Sequence, residues 1–96
     1  MLKNFVATTV ENSEVTVCTA SSGTELSIMS IMLNGGEKGG EVTLNFSTGF
    51  SAGFTIDAGD TIVLDNKINL SAGASFSVNA TASGVKIMVS AAELAV

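Results

Sequence analysis

Three aspartates in one short segment, Asp57, Asp60 and Asp65, form the densest group of side chains that could do chemistry. Carboxylate oxygens can bind Ca²⁺ in loops, but the remaining alternate acids and the terminal glutamate of an EF-hand are missing here. An aspartate in a turn more commonly accepts hydrogen bonds from backbone amides, and we expect this role for Asp60. The spacing therefore predicts a turn and no metal site.

The single cysteine, Cys18, is the other candidate for covalent chemistry. It lies in the alternating segment Val15–Thr19, where we expect it to be a small apolar strand residue. A reactive thiolate needs a cationic neighbour, and the chain contains neither His nor Arg. One cysteine also excludes an intrachain disulfide, and with it a disulfide-rich secreted scaffold.

The composition lacks most catalytic groups. The chain has no His, Trp or Tyr, and its four basic residues are all lysines. Histidine general bases, histidine metal sites and arginine clamps on phosphate are therefore excluded. A carbohydrate hydrolase would need a cleft lined by sugar-binding aromatic residues, and with five Phe and no Trp or Tyr such a cleft is not expected. The composition predicts a protein with no enzymatic activity and no cofactor.

Charge and hydropathy limit the partners of the chain. Nine acidic residues against four lysines give a net charge of −5 and an isoelectric point near 4.3. Nucleic acids and anionic membranes attract proteins through clustered basic residues, so neither is an expected partner. We expect no secretion by a signal peptide, because the N-terminus has no apolar segment of sufficient length. The longest apolar stretch, Ile28–Leu33, is too short to span a bilayer.

Apolar and polar residues alternate with a period of two along most of the chain, and no helical stripe of useful length occurs. This pattern predicts seven or eight short strands in a single domain, residues 1–96, folded as an antiparallel β-sandwich or a jelly-roll-like variant of it. Residues 1–10 are either a first strand or an arm that reaches a neighbour. The predicted inner layer consists of Val15, Val17, Ile31, Leu33, Val42, Leu44, Phe46, Ile62, Leu64, Phe76, Val78, Val85, Ile87 and Val89.

Glycine turns separate the predicted strands. One Ala-Gly pattern occurs in Ile56–Leu64 and again, fourteen residues later, in Leu70–Val78. Each copy predicts the end of a strand, a turn with glycine in a left-handed conformation and the start of a new strand. The segment Asn34–Gly40 predicts a tight hairpin with a flexible, solvated tip. The expected turn-forming residues are Gly35, Gly59, Asp60, Gly73 and Gly84.

The segment Glu25–Leu33 departs from simple alternation, because apolar residues occupy both of its parities. Either a β-bulge switches the parity, or both faces of the strand are covered, the second by another subunit. Other apolar residues, Cys18 among them, fall on positions that should face water. Isolated surface apolar residues are ordinary, whereas a contiguous patch marks a subunit interface. The candidate interface residues are Met29, Met32, Val63 and Met88.

Several segments together resemble a class of small virion proteins of tailed bacteriophages. The matching segments are Ser30–Asn34, the alternating strand Val42–Phe46, Ile56–Thr61, Ile68–Gly73 and the closing strand Val85–Leu94. The resemblance covers roughly residues 20–94 and depends on turn and strand signals. It implies no catalytic or ligand-binding residues.

The resemblance implies a structural function. Proteins of this class are β-sandwich modules that decorate or stabilise the phage head, or form parts of tail fibres and tail tips, often as trimers. For this chain it implies a homo-oligomer, with a trimer favoured, that contacts the major capsid protein or another virion protein. The chain would be made in the bacterial cytoplasm and incorporated into the virion. The alternative is a tail module that binds a host surface receptor through loops such as 34–40 and 48–53.

Overall fold

The computed structural model describes residues 1–65 and 67–96, which form strands and the turns between them. The strands are β1 (Leu2–Thr8), β2 (Glu14–Thr19), β3 (Thr24–Asn34), β4 (Gly40–Phe46), β5 (Ser51–Ile56), β6 (Thr61–Leu64), β7 (Ile68–Leu70), β8 (Ser75–Ala80) and β9 (Lys86–Ala95). The described residues include no helix that could cross a membrane. The predicted all-β fold is confirmed.

The strands form two antiparallel sheets that pack against each other. Sheet A has the order β1-β9-β3-β6, with β7 also paired to β3, and sheet B has the order β2-β8-β4-β5. Because β6 and β7 pair with the same edge of β3, they form one interrupted strand. Counted in this way, eight strands follow the jelly-roll order, in agreement with the predicted architecture. All connections except β4–β5 and the interruption β6–β7 cross from one sheet to the other.

The core lies between the inner faces of the sheets, because alternate residues of each strand point inwards. Eleven of the fourteen residues predicted for the inner layer are buried, while Val15, Ile62 and Leu64 pack at its margin. Phe76 stacks on Phe46, its neighbour across β8 and β4, with ring centroids 4.7 Å apart. Further large buried residues, which the alternation did not assign, are Leu26, Ile28, Ile56 and Leu70.

A β-bulge explains why β3 is apolar on both parities. The pairing of β3 with β9 shifts between Ile28 and Ser30, so Met29 is the extra residue. The bulge switches the parity of the strand, and residues on both sides of it reach the same core. The side chains that do so, each at most 1% exposed, are Leu26, Ile28, Ile31 and Leu33.

A second bulge corrects the prediction for Cys18. The pairing of β2 with β8 shifts between Thr16 and Cys18, which makes Val17 the extra residue. Val17 and Cys18 are consequently both buried, with 8% and 4% of their surface exposed. The outward position predicted for Cys18 is wrong, because simple alternation does not continue through a bulge.

The N-terminal segment lies in sheet A. β1 pairs with β9 from Leu2 opposite Ala92 to Thr8 opposite Lys86. The N-terminal amine donates a hydrogen bond to the Glu93 carbonyl at 3.1 Å, and the Glu93 amide donates to the Met1 carbonyl at 2.8 Å. These bonds hold the first residues of the chain against its last strand.

Candidate interaction surface

The three aspartates do not converge on one point. Asp57 and Asp60 lie in the turn between β5 and β6, whereas Asp65 follows β6, roughly 15 Å further along the strand. Among the described residues, no group of three His, Cys, Asp or Glu side chains could hold a metal ion.

Asp60 contributes to its turn through its backbone. Its amide donates to the Asp57 carbonyl at 3.1 Å, and its carbonyl accepts from the Gly35 amide at 2.9 Å. The Gly59 amide is also occupied, since it donates to the Gly36 carbonyl at 2.8 Å. The hydrogen bonds of the described residues include none from a turn amide to the Asp60 carboxylate. The expected carboxylate role is corrected, because backbone carbonyls already satisfy these amides.

Cys18 is poorly suited to nucleophilic chemistry. Burial raises the pKa of its thiol from 9.0 to about 11, because the charged thiolate loses solvation in the core. At neutral pH the thiol is therefore protonated, and it faces the packed interior between the sheets.

The glycine turns carry the chain between the sheets. Gly59 and Gly73 adopt φ angles of +78° and +87°, and Gly84, between β8 and β9, has a φ of +90°. Gly59 and Gly73 each occupy the third position of a four-residue turn closed by a backbone hydrogen bond, as the repeated pattern suggests. These residues set the direction in which each strand enters its sheet.

The connection Asn34–Gly40 is not the predicted hairpin, because β3 and β4 belong to different sheets. Gly35 has no left-handed φ; instead, a Cβ at this position would collide with the Asp57 carbonyl oxygen. Gly35 and Gly39 are buried, and the Gly36 amide donates to Asn34 Oδ1 at 2.9 Å. The segment is a crossing between sheets in which Gly35 and Gly39 are packed, while Glu37 and Lys38 at its tip are exposed to solvent, as predicted.

A line of apolar side chains crosses the outer face of sheet A. Val6 on β1 lies opposite Met88 on β9, Met88 lies opposite Met32 on β3, and Met32 lies opposite Val63 on β6. Side chains directly opposite each other in a sheet have Cβ atoms about 5 Å apart, so these four are contiguous. Their exposed fractions are 69%, 38%, 40% and 56% in the order given. We call these four residues the apolar row.

Three of the four candidate interface residues belong to the apolar row, namely Met32, Val63 and Met88. Met29 is the extra residue of the β3 bulge, is 44% exposed and lies outside the row, three positions before Met32. Val6 was not among the candidates, because the sequence of β1 does not reveal which of its faces meets the core. Its register against β9 supplies that information.

The rows beside the apolar row are polar and carry one charge. On one side lie Thr8, Lys86, Asn34 and Thr61, which face each other in the same registers. On the other side lie Asn4, Ser90 and Ser30, where Ser90 Oγ donates to Asn4 Oδ1 at 3.0 Å. Lys86 is the one charged side chain in these three rows, and it points to solvent.

The outer face of sheet B has a different character. Its central rows consist of hydroxyl, amide and carboxylate side chains and a glycine, which are Glu14, Asn79, Thr43 and Gly53, then Thr16, Ser77, Asn45 and Ser51. Asn45 Nδ2 donates to Glu14 Oε2 at 3.3 Å, and Ser77 Oγ donates to Thr16 Oγ1 at 3.4 Å. This face is suited to water, whereas the outer face of sheet A carries the candidate interaction surface.

Fold and surface together define a small jelly-roll sandwich with one polar outer face and one that is partly apolar. Comparisons with family models, curated proteins and solved structures found no match to the chain. The resemblance to virion proteins of tailed bacteriophages therefore stays a prediction from the sequence.

Proposed function

We propose that this protein is a structural subunit of a tailed-phage particle and assembles with copies of itself through the apolar row. The row is the observation that carries the proposal. It is contiguous, crosses the full width of sheet A and consists of side chains that are 38% to 69% exposed. Apolar side chains scattered singly over a surface are ordinary, whereas contiguous apolar patches larger than a few hundred Å² mark interaction sites. A homotrimer is the assembly we propose.

Charge favours a second copy of the chain as the occupant of this surface. Each copy carries a net charge of −5, so two copies repel each other where acidic surfaces meet. The paired residues of the apolar row and its two neighbouring rows include no acidic side chain, and the exposed Asp65, which directly follows β6, is the acid closest to Val63 along the chain. The outer face of sheet B, in contrast, exposes Glu14 and Glu41. Copies can therefore approach through sheet A with little electrostatic penalty.

The chemistry of the chain supports a function without catalysis. The sequence has no His or Arg, Cys18 is buried, and the aspartates are dispersed. Jelly rolls are common among capsid proteins, although the fold alone does not determine a function. Together with the sequence resemblance, these observations support head decoration or stabilisation through contacts with the major capsid protein or another virion protein.

The alternative function, recognition of a host receptor by loops 34–40 and 48–53, has less support. Loop 34–40 precedes β4 and loop 48–53 comes after it, so the two loops lie at opposite ends of this strand, roughly 20 Å apart. The whole molecule is 40 Å long. Two loops so far apart do not form one small binding site in a single chain. The first loop is also packed against the turn at Asp57–Asp60, as described above.

Sedimentation equilibrium at micromolar concentration tests the assembly. We expect the wild type to be a trimer and Met32→Lys to be monomeric, because the lysine places a charge in the centre of the contact. Thr43→Lys adds the same charge to the outer face of sheet B and is expected to remain trimeric. Both variants should remain folded, since both positions are exposed. Thr43→Lys should unfold at the wild-type denaturant concentration, whereas Met32→Lys should unfold at a lower one, because it loses the stabilisation that assembly provides. A wild type that stays monomeric would overturn the proposal.

The virion part of the proposal needs a separate observation. Mass spectrometry and electron microscopy of particles produced from the genome that encodes this chain should find many copies on the head. Absence of the chain from purified particles would contradict a virion function, whatever its oligomeric state in solution.

A further inference from the structure

The sandwich has four edge strands, and three of them carry features that discourage pairing with another molecule. Natural sheets protect their edges with charged residues, bulges or interruptions. In sheet A, β1 contains Lys3, and the β6–β7 strand is interrupted between Leu64 and Ile68. In sheet B, β2 contains the bulge at Val17. The remaining edge is β5.

β5 lacks each of these protections. The segment Ser51–Ile56 contains no charged residue and no proline. It pairs with β4 over all six residues without a shift in register. Ser51, Ala52, Gly53 and Thr55 are exposed. An uninterrupted neutral edge of this length is a template for the addition of another strand.

Alternate residues of β5 direct their backbone groups away from β4. The Phe46 amide donates to the Phe50 carbonyl at 2.8 Å at the start of this ladder. In an antiparallel ladder every second pair is hydrogen-bonded, so the residues between those pairs face the open edge. The amides and carbonyls at the open edge belong to Ser51, Gly53 and Thr55.

Gly53, in the middle of this edge, has no conformational reason to be glycine. Its φ lies outside the left-handed region, and a Cβ there would make only ordinary contacts, at 3.8 Å with Val42 and 3.9 Å with Thr43. Glycine weakens the interior of a strand and often marks a place where another backbone approaches closely. This glycine is a second indication, independent of the missing edge protection, that the edge is used.

We propose that β5 pairs antiparallel with β5 of a second copy of the chain, about a twofold axis at Gly53. In this register Ser51 lies opposite Thr55 of the partner subunit, and Ala52 lies opposite Phe54 of the partner subunit. On the outer face of sheet B the hydroxyl groups of Ser51 and Thr55 lie opposite each other. On the inner face the small Ala52 lies opposite the half-buried Phe54, and no two charged side chains are opposed. The strand is thus complementary to itself, and two copies of sheet B become one continuous sheet.

Amide hydrogen exchange measured by NMR, from micromolar to near-millimolar concentration, tests this pairing in the wild type and in Met32→Lys. We expect the amides of Ser51, Gly53 and Thr55 to exchange about tenfold more slowly at the highest concentration in both proteins. Exchange that does not depend on concentration would overturn the proposal. Met32→Lys cannot assemble through the apolar row, so any protection of these amides in this variant comes from pairing at the β5 edge. The test of β5 pairing therefore holds even if the proposed trimer is wrong.

Matched variants identify the edge. Ala52→Lys places a charge opposite Phe54 of the partner subunit and is expected to abolish the protection, whereas Ala72→Lys, in the exposed β7–β8 turn, is expected to retain it. Gly53→Pro removes an amide that faces the open edge, so we expect it to abolish the protection as well. This second variant tests the pairing if Ala52→Lys does not fold. Protection that persists in a folded Ala52→Lys or Gly53→Pro variant would contradict the proposed register.

Discussion

Thr9 fixes one corner of the sandwich with a single side chain. It is 2% exposed, and its Oγ1 donates to the Ala82 carbonyl at 2.9 Å and accepts from the Val85 amide at 3.0 Å. Its own amide donates to the Val85 carbonyl at 2.9 Å, and its carbonyl accepts from the Gly84 amide at 3.1 Å. One threonine thereby ties the end of β1 to the turn that precedes β9.

Thr9→Val keeps the shape of this side chain and removes its hydroxyl. The buried Val85 amide then loses a partner, so we expect the free energy of unfolding to fall by about 2 kcal/mol. Urea denaturation followed by circular dichroism measures the change. The control Thr8→Val, at an exposed position, should change stability by less than about 0.5 kcal/mol. Equal stability of the two variants would show that the hydroxyl is unimportant.

At the scale of the elements, glycines serve the sheet-to-sheet crossings for two different reasons. Gly73 has a φ of +87° and open space around it, so it is needed for its backbone conformation. Gly35 has ordinary backbone angles but packs directly against the Asp57 carbonyl. The requirement at Gly73 is local to its own turn. The requirement at Gly35 arises only in the folded protein, where the β3–β4 connection packs against the β5–β6 connection.

The two glycines should therefore respond differently to alanine. Gly35→Ala forces a Cβ into a backbone carbonyl and is expected to lower the free energy of unfolding by about 3 kcal/mol. Gly73→Ala suffers only the strain of a left-handed residue, about 1 kcal/mol. Urea denaturation of both variants checks the order. A Gly73→Ala variant less stable than Gly35→Ala would contradict this explanation.

Alternation was sufficient to predict the strands and the sandwich, because a period of two places one parity of each strand in the core. The bulges at Val17 and Met29 could not be predicted with the same certainty. A bulge is a property of a strand and its partner, and the partners β8 and β9 lie far along the chain. The Asn-Gly signal at Asn34 failed for a related reason, since Gly35 is needed for its close contact with Asp57, which lies in another connection further along the chain.

At the scale of the whole molecule, the two outer faces differ in polarity, and that difference is the basis of the proposed assembly. Met32, Val63 and Met88 could each be predicted to point outwards. Their alignment with Val6 in one line depends on three strand registers that join distant parts of the chain. Local pattern thus identified the residues of the surface, and only the fold shows that they are contiguous.

The four methionines provide natural probes of this surface. Met32 and Met88 lie in the apolar row, whereas Met29 and Met1, the latter 81% exposed, are outside it. With isotope-labelled methyl groups, each methionine can be observed separately by NMR in the presence of a soluble paramagnetic probe. The probe broadens the signals of the methyl groups that solvent can reach.

As the protein concentration rises through the micromolar range, we expect the methyl groups of Met32 and Met88 to become protected from the probe while Met1 stays accessible. This result would place the contact between copies on the outer face of sheet A. If the accessibility of Met32 and Met88 to the probe does not change with protein concentration, the apolar row is not an assembly surface and the proposed function is wrong.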